Sequence, residues 1–246
     1  MKLTVGFRTD KGPREGPNED VVFATIPADN PNAAILIASD GVGGAKAGDH
    51  ASRTAVDIIR EYLLERPFPQ RDEVIERLRE ALQAANEEVY TQSQANAHLR
   101  GMACTVVMSL VIDNMFWVAH VGDSRAYLIA DEEVSQLTLD HTLGNSSKHR
   151  NLAAIQQVKA MGLDKVLDRA IGIEPNVAID VRDPDVLASG DIILLSTDGL
   201  HEVVSEMDML TITMDHPAEQ AAERLVKAAL DAPARDNVSV VILKTD

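Results

Sequence analysis

Hydrophobic and polar positions change their rhythm several times along the chain, and each change predicts an element. Leu3, Val5 and Phe7 alternate with more polar neighbours over Lys2–Thr9, the period-two pattern of a β-strand. The loop Asp10–Pro17, rich in Gly and Pro, carries Arg14 and leads into Asn18-Glu19-Asp20. Val21–Ile26 reads as a second strand and Pro27–Asn32 as a turn. Ala33–Ser39 is then apolar without interruption, as a buried strand would be, and stops at Asp40-Gly41. Beyond the glycines the period lengthens. Ala51, Ala55, Ile58 and Tyr62 predict one face of a helix that Pro67 ends. Val74, Leu78, Leu82, Ala85 and Val89 predict the buried face of a second helix within Arg71–His98. Two amphipathic helices in succession form one layer over a sheet.

Strands follow at Ala103–Ile112, Met115–Val121 and Arg125–Ala130. The turn at Asp113-Asn114 makes the first two an antiparallel hairpin. Met115, Trp117 and Ala119 oppose Phe116 and Val118 on the second strand, so both of its faces are apolar. A second sheet on one side and the helices on the other would cover them. Thr142–Ala170 yields only a short helix near Leu152–Met161. Strands return at Val177–Val181 and Ile192–Ser196, with a helix at Ala218–Leu230 and a last strand at Val238–Lys244. No repeat, low-complexity tract or linker divides the chain, so residues 1–246 are expected to form one domain.

Composition narrows the function. With 39 acidic against 23 basic residues the net charge is -16, which argues against nucleic acid or an anionic membrane as the main partner. Aromatic residues are only 3%, so stacking on bases or sugars is not a theme. Cys104 is the only cysteine, excluding an intramolecular disulfide and a Cys-rich zinc site. Its apolar neighbours predict a buried small hydrophobe. The start MKLTVGFRTDKG lacks the apolar core of a signal peptide, and no run reaches the length of a membrane span, so a soluble cytoplasmic protein is expected.

Asp20, Asp40, Asp123, Asp198 and Asp236 share a context: strand ends and adjoining turns, beside Gly, Asn or Ser. Any one of them is an ordinary turn residue. Together, several carboxylates and an accessible backbone carbonyl make the oxygen-rich set that hard divalent cations take. The run ILIASDGVGG from Ile35 to Gly44 returns as IILLSTDGLHE from Ile192 to Glu202. Further stretches are NED at Asn18–Asp20, HVGDSRAY at His120–Tyr127, LDHT at Leu139–Thr142, RAIG at Arg169–Gly172 and RDNVSVV at Arg235–Val241. In these ordered motifs, spread from end to end, the chain resembles the metal-dependent protein phosphatase 2C family, serine/threonine phosphatases of bacterial type.

The resemblance implies an α+β fold, a four-layer α/β/β/α sandwich with two mainly antiparallel sheets packed face to face between helical layers. It implies a phosphatase using Mn2+ or Mg2+, two ions in the core site and a third, weaker one. Asp40 would bridge the two ions with the Gly41 carbonyl on one of them. Asp198 and Asp236 would hold the other, Asp20 would act through water, and Asp123, helped by Asp198, would match the third site. Hydroxide generated between the two ions would attack phosphorus without a covalent phosphoenzyme. Bound cations would also reconcile an acidic protein with an anionic substrate. Arg14 is the candidate for the substrate phosphate, although it stands one position further from Asp20 than the family's usual arginine. Val42 occupies the place where some relatives carry a histidine proposed as general acid. His120 and His141 fall in matched motifs but at no ligand position, and His120 is expected to be a hydrogen-bonded core residue.

Residues 142–170 correspond to the family's variable flap. Lys148, Arg150, Lys159, Lys165 and Arg169 there suggest docking of phosphorylated segments, against the alternative of a solvated face. The implied partners are phosphorylated proteins, with a serine/threonine kinase opposing the enzyme, and a monomer without nucleic acid or membrane is expected. The rival reading is a catalytically weak or inactive regulatory relative that binds phosphoproteins on the same fold. A phosphohydrolase with an Asp nucleophile would need an Asp-x-Asp pair, which Ser39-Asp40-Gly41-Val42 does not supply.

Overall fold

The computed structural model describes residues 1–42, 47–146 and 152–246. Chain order begins with strands β1 (Leu3–Asp10), β2 (Asp20–Thr25) and β3 (Ala33–Val42), then helices α1 (Gly48–Leu64) and α2 (Val74–Ala95). Strands β4 (Ala103–Cys104), β5 (Val106–Ile112), β6 (Met115–Val121), β7 (Arg125–Ala130) and β8 (Glu133–Gln136) follow. Next come short helices α3 (Leu143–Ser146) and α4 (Leu152–Ala160), and strands β9 (Asp180–Val181), β10 (Asp185–Val186) and β11 (Ile192–Ser196). Helices α5 (Asp198–His201), α6 (Glu206–Asp215) and α7 (Ala218–Asp231) and strand β12 (Val238–Thr245) complete it.

The strands form two antiparallel sheets. One has the order β1-β12-β11-β7-β8; the other has β10-β6-β5-β3-β2, with β4 added beside β3 and β9 beside β6. Side chains alternate across them as the pleat requires. On β3, Ile35 and Ile37 pack with α1 and α2 residues such as Ile59 and Leu82, whereas Ala34, Leu36 and Ala38 face Ile193, Leu195 and Val241 of the other sheet. On β11 and β12, Ile192, Leu194, Val240 and Ile242 meet Leu225 and Ala222 of α7. Three apolar interfaces thus separate four layers, helix, sheet, sheet, helix, as the two-faced apolar pattern of β6 requires. Trp117 and Ala119 lie on the helix side of β6, and Phe116 and Val118 on the sheet side.

Several elements depart from the sequence pattern. The predicted strand Ala103–Ile112 breaks at Thr105, whose N–H donates to the Asp40 carbonyl at 2.8 Å. The α1 face is turned relative to the predicted one. Ser52, Val56, Ile59 and Leu63 are buried with Ala51 and Ala55, while Ile58 and Tyr62 are half-buried. Only Asp180–Val181 of the strand predicted at Val177–Val181 pairs, and α6 has no counterpart in the sequence reading. β7 pairs with β11, so the chain changes sheet across Gly122-Asp123-Ser124. Gly122 makes that crossing possible: its φ is +107°, and a Cβ there would sit 2.6 Å from Thr105 Cβ. Among the described residues, no helix is long and apolar enough to cross a membrane.

Candidate metal centre

Antiparallel pairing sets the start of one strand beside the end of its neighbour. Asp20 opens β2 and pairs in register with Asp40, near the end of β3. In the other sheet β11 ends at Ser196, opposite Val240 of β12; Asp198 begins α5, and Asp236 lies just before β12. The sheet crossing then leaves Asp123 at the same end of the sandwich. As a result Arg14, Asp40, Gly41, Asp123, Asp198 and Asp236 line one cleft of about 480 Å³. Asp20 is buried, at 5% exposure, next to Asp40. Gly43 and Gly44 of the DGVGG motif, and Lys148 and Arg150 of the flap, lie outside the described residues.

A shell of small polar side chains that the sequence reading passed over holds the backbone around these aspartates and the carboxylate of Asp20. Thr105 Oγ1 accepts from the Asp40 N–H at 3.1 Å and bonds Ser124 Oγ at 2.6 Å, tying the ends of β3 and the sheet crossing together. Thr197 Oγ1 donates to Asp20 Oδ2 at 2.8 Å, a buried bond between the two sheets. Asn237 Oδ1 accepts from the Glu19 N–H at 2.8 Å and its Nδ2 donates to the Lys11 carbonyl at 2.7 Å. The visible signal was that Thr197, Asn237 and Glu19 each adjoin a motif aspartate. Both Asp-Gly glycines are also needed for space. A Cβ on Gly41 would meet the Gly48 carbonyl oxygen at 2.2 Å, and one on Gly199 the Asn237 carbonyl oxygen at 1.9 Å.

The electrostatics of the cluster favour binding of a positive charge. Burial first, and Asp198 and Asp236 nearby, push Asp20 up to about 7. Burial and Asp198 likewise push Asp123 up to about 7. Burial, Asp236 and Glu202 raise Asp198 to about 6. Asp40 is raised well above the usual carboxylate range by burial and by Asp20, Asp198, Asp236 and Asp123 around it. Asp20 Oδ1 and Asp198 Oδ1 are buried without any hydrogen-bond partner. Native proteins seldom leave such oxygens orphaned. An all-oxygen set of converging carboxylates with orphaned lone pairs fits a hard divalent cation. Arg14 supplies part of the compensation: its Nη1 donates to Asp236 Oδ1 at 2.7 Å and its Nη2 lies 2.9 Å from Glu19 Oε2.

The remaining candidates sort clearly. Cys104 is fully buried and its thiol is pushed up to about 12 by that burial, so it is inert. His120, His141 and Asp180 bring possible ligand atoms within 4.8 Å of one another. Their ring nitrogens are largely committed: His120 Nε2 donates to the Leu139 carbonyl at 3.0 Å, and His141 Nδ1 accepts from the Gly122 N–H at 3.1 Å. Burial, with His120 and Arg169 beside it, lowers His141 to about 4, so the ring is neutral and can accept that proton. This group pins the Asp123 crossing to His141, just before residues 142–170. Of the basic residues in 142–170, Lys165 pairs with Glu202 at 2.6 Å and lines the cleft, whereas Arg169 anchors to Asp180 and the Ala178 carbonyl. Val42 also lines the cleft, and no histidine does among the described residues.

The family model for Protein phosphatase 2C matches residues 14–233. The chain belongs to that family. It is 31% identical over 242 residues to the protein phosphatase PhpP of Streptococcus pneumoniae, covering 98% of this chain and 97% of that one. It is also 31% identical to the serine/threonine phosphatase stp of Listeria monocytogenes, over 98% and 95% of the two chains. Among solved structures, Stp1 of Staphylococcus aureus superposes with a TM-score of 0.88 at 26% identity, covering 100% and 96%. The catalytic domain of the phosphatase PstP in complex with two manganese ions superposes at 0.81 with 29% identity, covering 100% and 99%.

Proposed function

We infer that this protein phosphatase 2C member is an active serine/threonine phosphoprotein phosphatase that depends on Mn2+ or Mg2+. The observation that carries the reading is the convergence of Asp40, Asp123, Asp198 and Asp236 with Arg14 on one cleft. Asp40, Asp198, Asp236 and the Gly41 carbonyl would hold two cations. Asp20 would act through water, and Asp123 with Asp198 would take a third. When bound, the cations supply Lewis acidity, making water nucleophilic near neutral pH and offsetting the charge of the phosphate. The protein's own part is positional. Thr105 and Thr197 hold the Asp40 backbone and the Asp20 carboxylate before any ligand arrives, so little reorganisation is needed at the moment of reaction.

Arg14 uses one N–H on Asp236 and sets a second nitrogen against Glu19. A guanidinium has five N–H donors in a planar fork, so others remain for the phosphate oxygens. The whole chain then acts as one catalytic domain, with residues 142–170 as its flap. The same reading makes it a cytoplasmic monomer that acts on phosphorylated proteins and opposes a serine/threonine kinase. The inactive alternative is disfavoured because a binding-only relative would not need this full carboxylate set.

Hydrolysis of a phosphothreonine peptide is expected with Mn2+ and is expected to vanish on adding a chelator. No activity in the presence of either metal overturns the assignment. Arg14→Ala should raise KM for the peptide by about tenfold, the loss of one charge-assisted contact, with a smaller change in kcat. Unchanged kinetics would remove Arg14 from the phosphate site.

A further inference from the structure

Part of the cleft has no role in holding charge. Val42, Val166, Leu167 and Ile173 line it alongside the carboxylates. Val166 is 45% exposed and Ile173 57% exposed. Single exposed apolar side chains are ordinary on a protein surface. Here they share one concave surface with a polar reaction site. Ile173 also lines a neighbouring cavity of about 240 Å³, together with Ala170, Val177 and Ala178. Asp168, Arg169, Glu174 and Asn176 complete its wall, so its apolar part is one side of a mixed cavity; by volume it has room for a side chain the size of leucine or phenylalanine, since about 150 Å³ accommodates a benzene ring.

Ile173 is exposed by construction, since the residues around it are tied down. Ile171 exchanges backbone hydrogen bonds with Cys104 at 2.9 and 3.1 Å. Asn86, buried in α2, accepts from the Gly172 N–H at 2.8 Å and donates to the Glu174 carbonyl at 2.9 Å. Gly172 makes the turn with φ +91°, and a Cβ there would strike Val89 Cγ1 at 2.4 Å. Val166 is held by its backbone alone, receiving the Leu143 N–H at 2.8 Å and donating to Leu163 at 3.1 Å. Rigid backbone presenting uncovered apolar side chains is the arrangement that costs least entropy on binding.

We propose that Val166, Leu167 and Ile173 form a docking shelf for an apolar residue flanking the phosphorylated serine or threonine of the substrate. The proposal rests on the phosphatase reading above and adds the sequence class that the enzyme prefers. The occupant is an extended phosphoprotein segment, because the shelf is continuous with the cleft that would take the phosphate. Asp168 and Glu174 on the small cavity outnumber Arg169 there, in a chain of net charge -16, so an apolar flank suits it better than an acidic one.

The test compares kcat/KM, with Mn2+, for phosphothreonine peptides differing only in having Leu, Gly or Glu on either side of the phosphorylated residue. The wild type should favour the Leu peptide over the Gly peptide by about tenfold, mainly through KM, from burial of part of one side chain. Ile173→Asp, and independently Val166→Ser, should bring that ratio close to one; both side chains are exposed, and a melting curve verifies folding. A wild-type ratio near one, a preference for Glu, or a Leu preference that survives both variants overturns the shelf alone. Failure to hydrolyse any of the peptides overturns the phosphatase reading and the shelf with it.

Discussion

Asp40→Asn should abolish phosphopeptide hydrolysis and yet raise the melting temperature of the metal-free protein. Both effects come from the same carboxylate. Asp40 is almost completely buried among Asp20, Asp198, Asp236 and Asp123, which together hold its pKa far above that of a free carboxylate. Replacing it with a neutral amide of the same shape removes the repulsion at its centre. A gain of about 1–2 kcal/mol is the usual scale for relieving such a site. The same change removes an anionic oxygen from the set that would hold two cations. Loss of a single preorganised transition-state contact costs roughly 10²–10³ in rate, and loss of a carboxylate that would hold the cations should cost at least that. Phosphothreonine peptide turnover and thermal melting, each with and without Mn2+, measure the pair. Undiminished turnover in the variant would remove Asp40 from the centre.

Without metal, stability is expected to fall as pH rises from about 4 to about 8, the reverse of the usual acid lability. Carboxyls at about 7 in the folded state, Asp20 and Asp123, and at about 6, Asp198, stay protonated over a range where the unfolded chain has already ionised them. The folded state therefore binds more protons in that window, and stability declines with pH. Below the unfolded value near 3.8 the penalty is absent; above the folded values it is complete. A single group moved from 3.8 to about 7 accounts for on the order of 4 kcal/mol. Saturating Mn2+ should flatten the profile and raise the melting temperature most at pH 8, since a ligand of the folded state stabilises it by mass action. Melting curves at pH 5 and pH 8, with chelator and with Mn2+, test this. A metal-free protein more stable at pH 8 than at pH 5 would refute it.

What could be read in the sequence was whatever the local pattern determines. The strand Ala33–Ser39 was legible because both of its faces are buried, leaving an unbroken apolar run. The two-faced β6 foretold a layer on each side. Less legible were features settled by residues far apart in sequence. Thr105 looks like one more strand residue until Asp40, distant along the chain, takes its hydrogen bonds. Residues 51–63 carry two overlapping apolar stripes, and only packing against the sheet decides that Ile59 and Leu63 turn inward. α6 buries just Met209 and Thr213 and exposes Met207 and Met214, so it has no stripe to find. For the site, motif order singled out aspartates that the fold gathers at one cleft, but not the bonds from Arg14 to Asp236 and from Thr197 to Asp20. Those link positions that no spacing rule connects.

The Thr197–Asp20 and Glu19–Asn237 bonds join one sheet to the other at the rim where the carboxylates gather. Over the rest of the interface apolar side chains such as Leu36, Val107, Ile193 and Val241 pack one sheet on the other. Mechanically the molecule is a pair of plates packed over most of their area, with buried carboxylates crowded along one edge. A cation seated there would act as a rivet. The edge proposed for the reaction would then also be one that fastens the two sheets to each other.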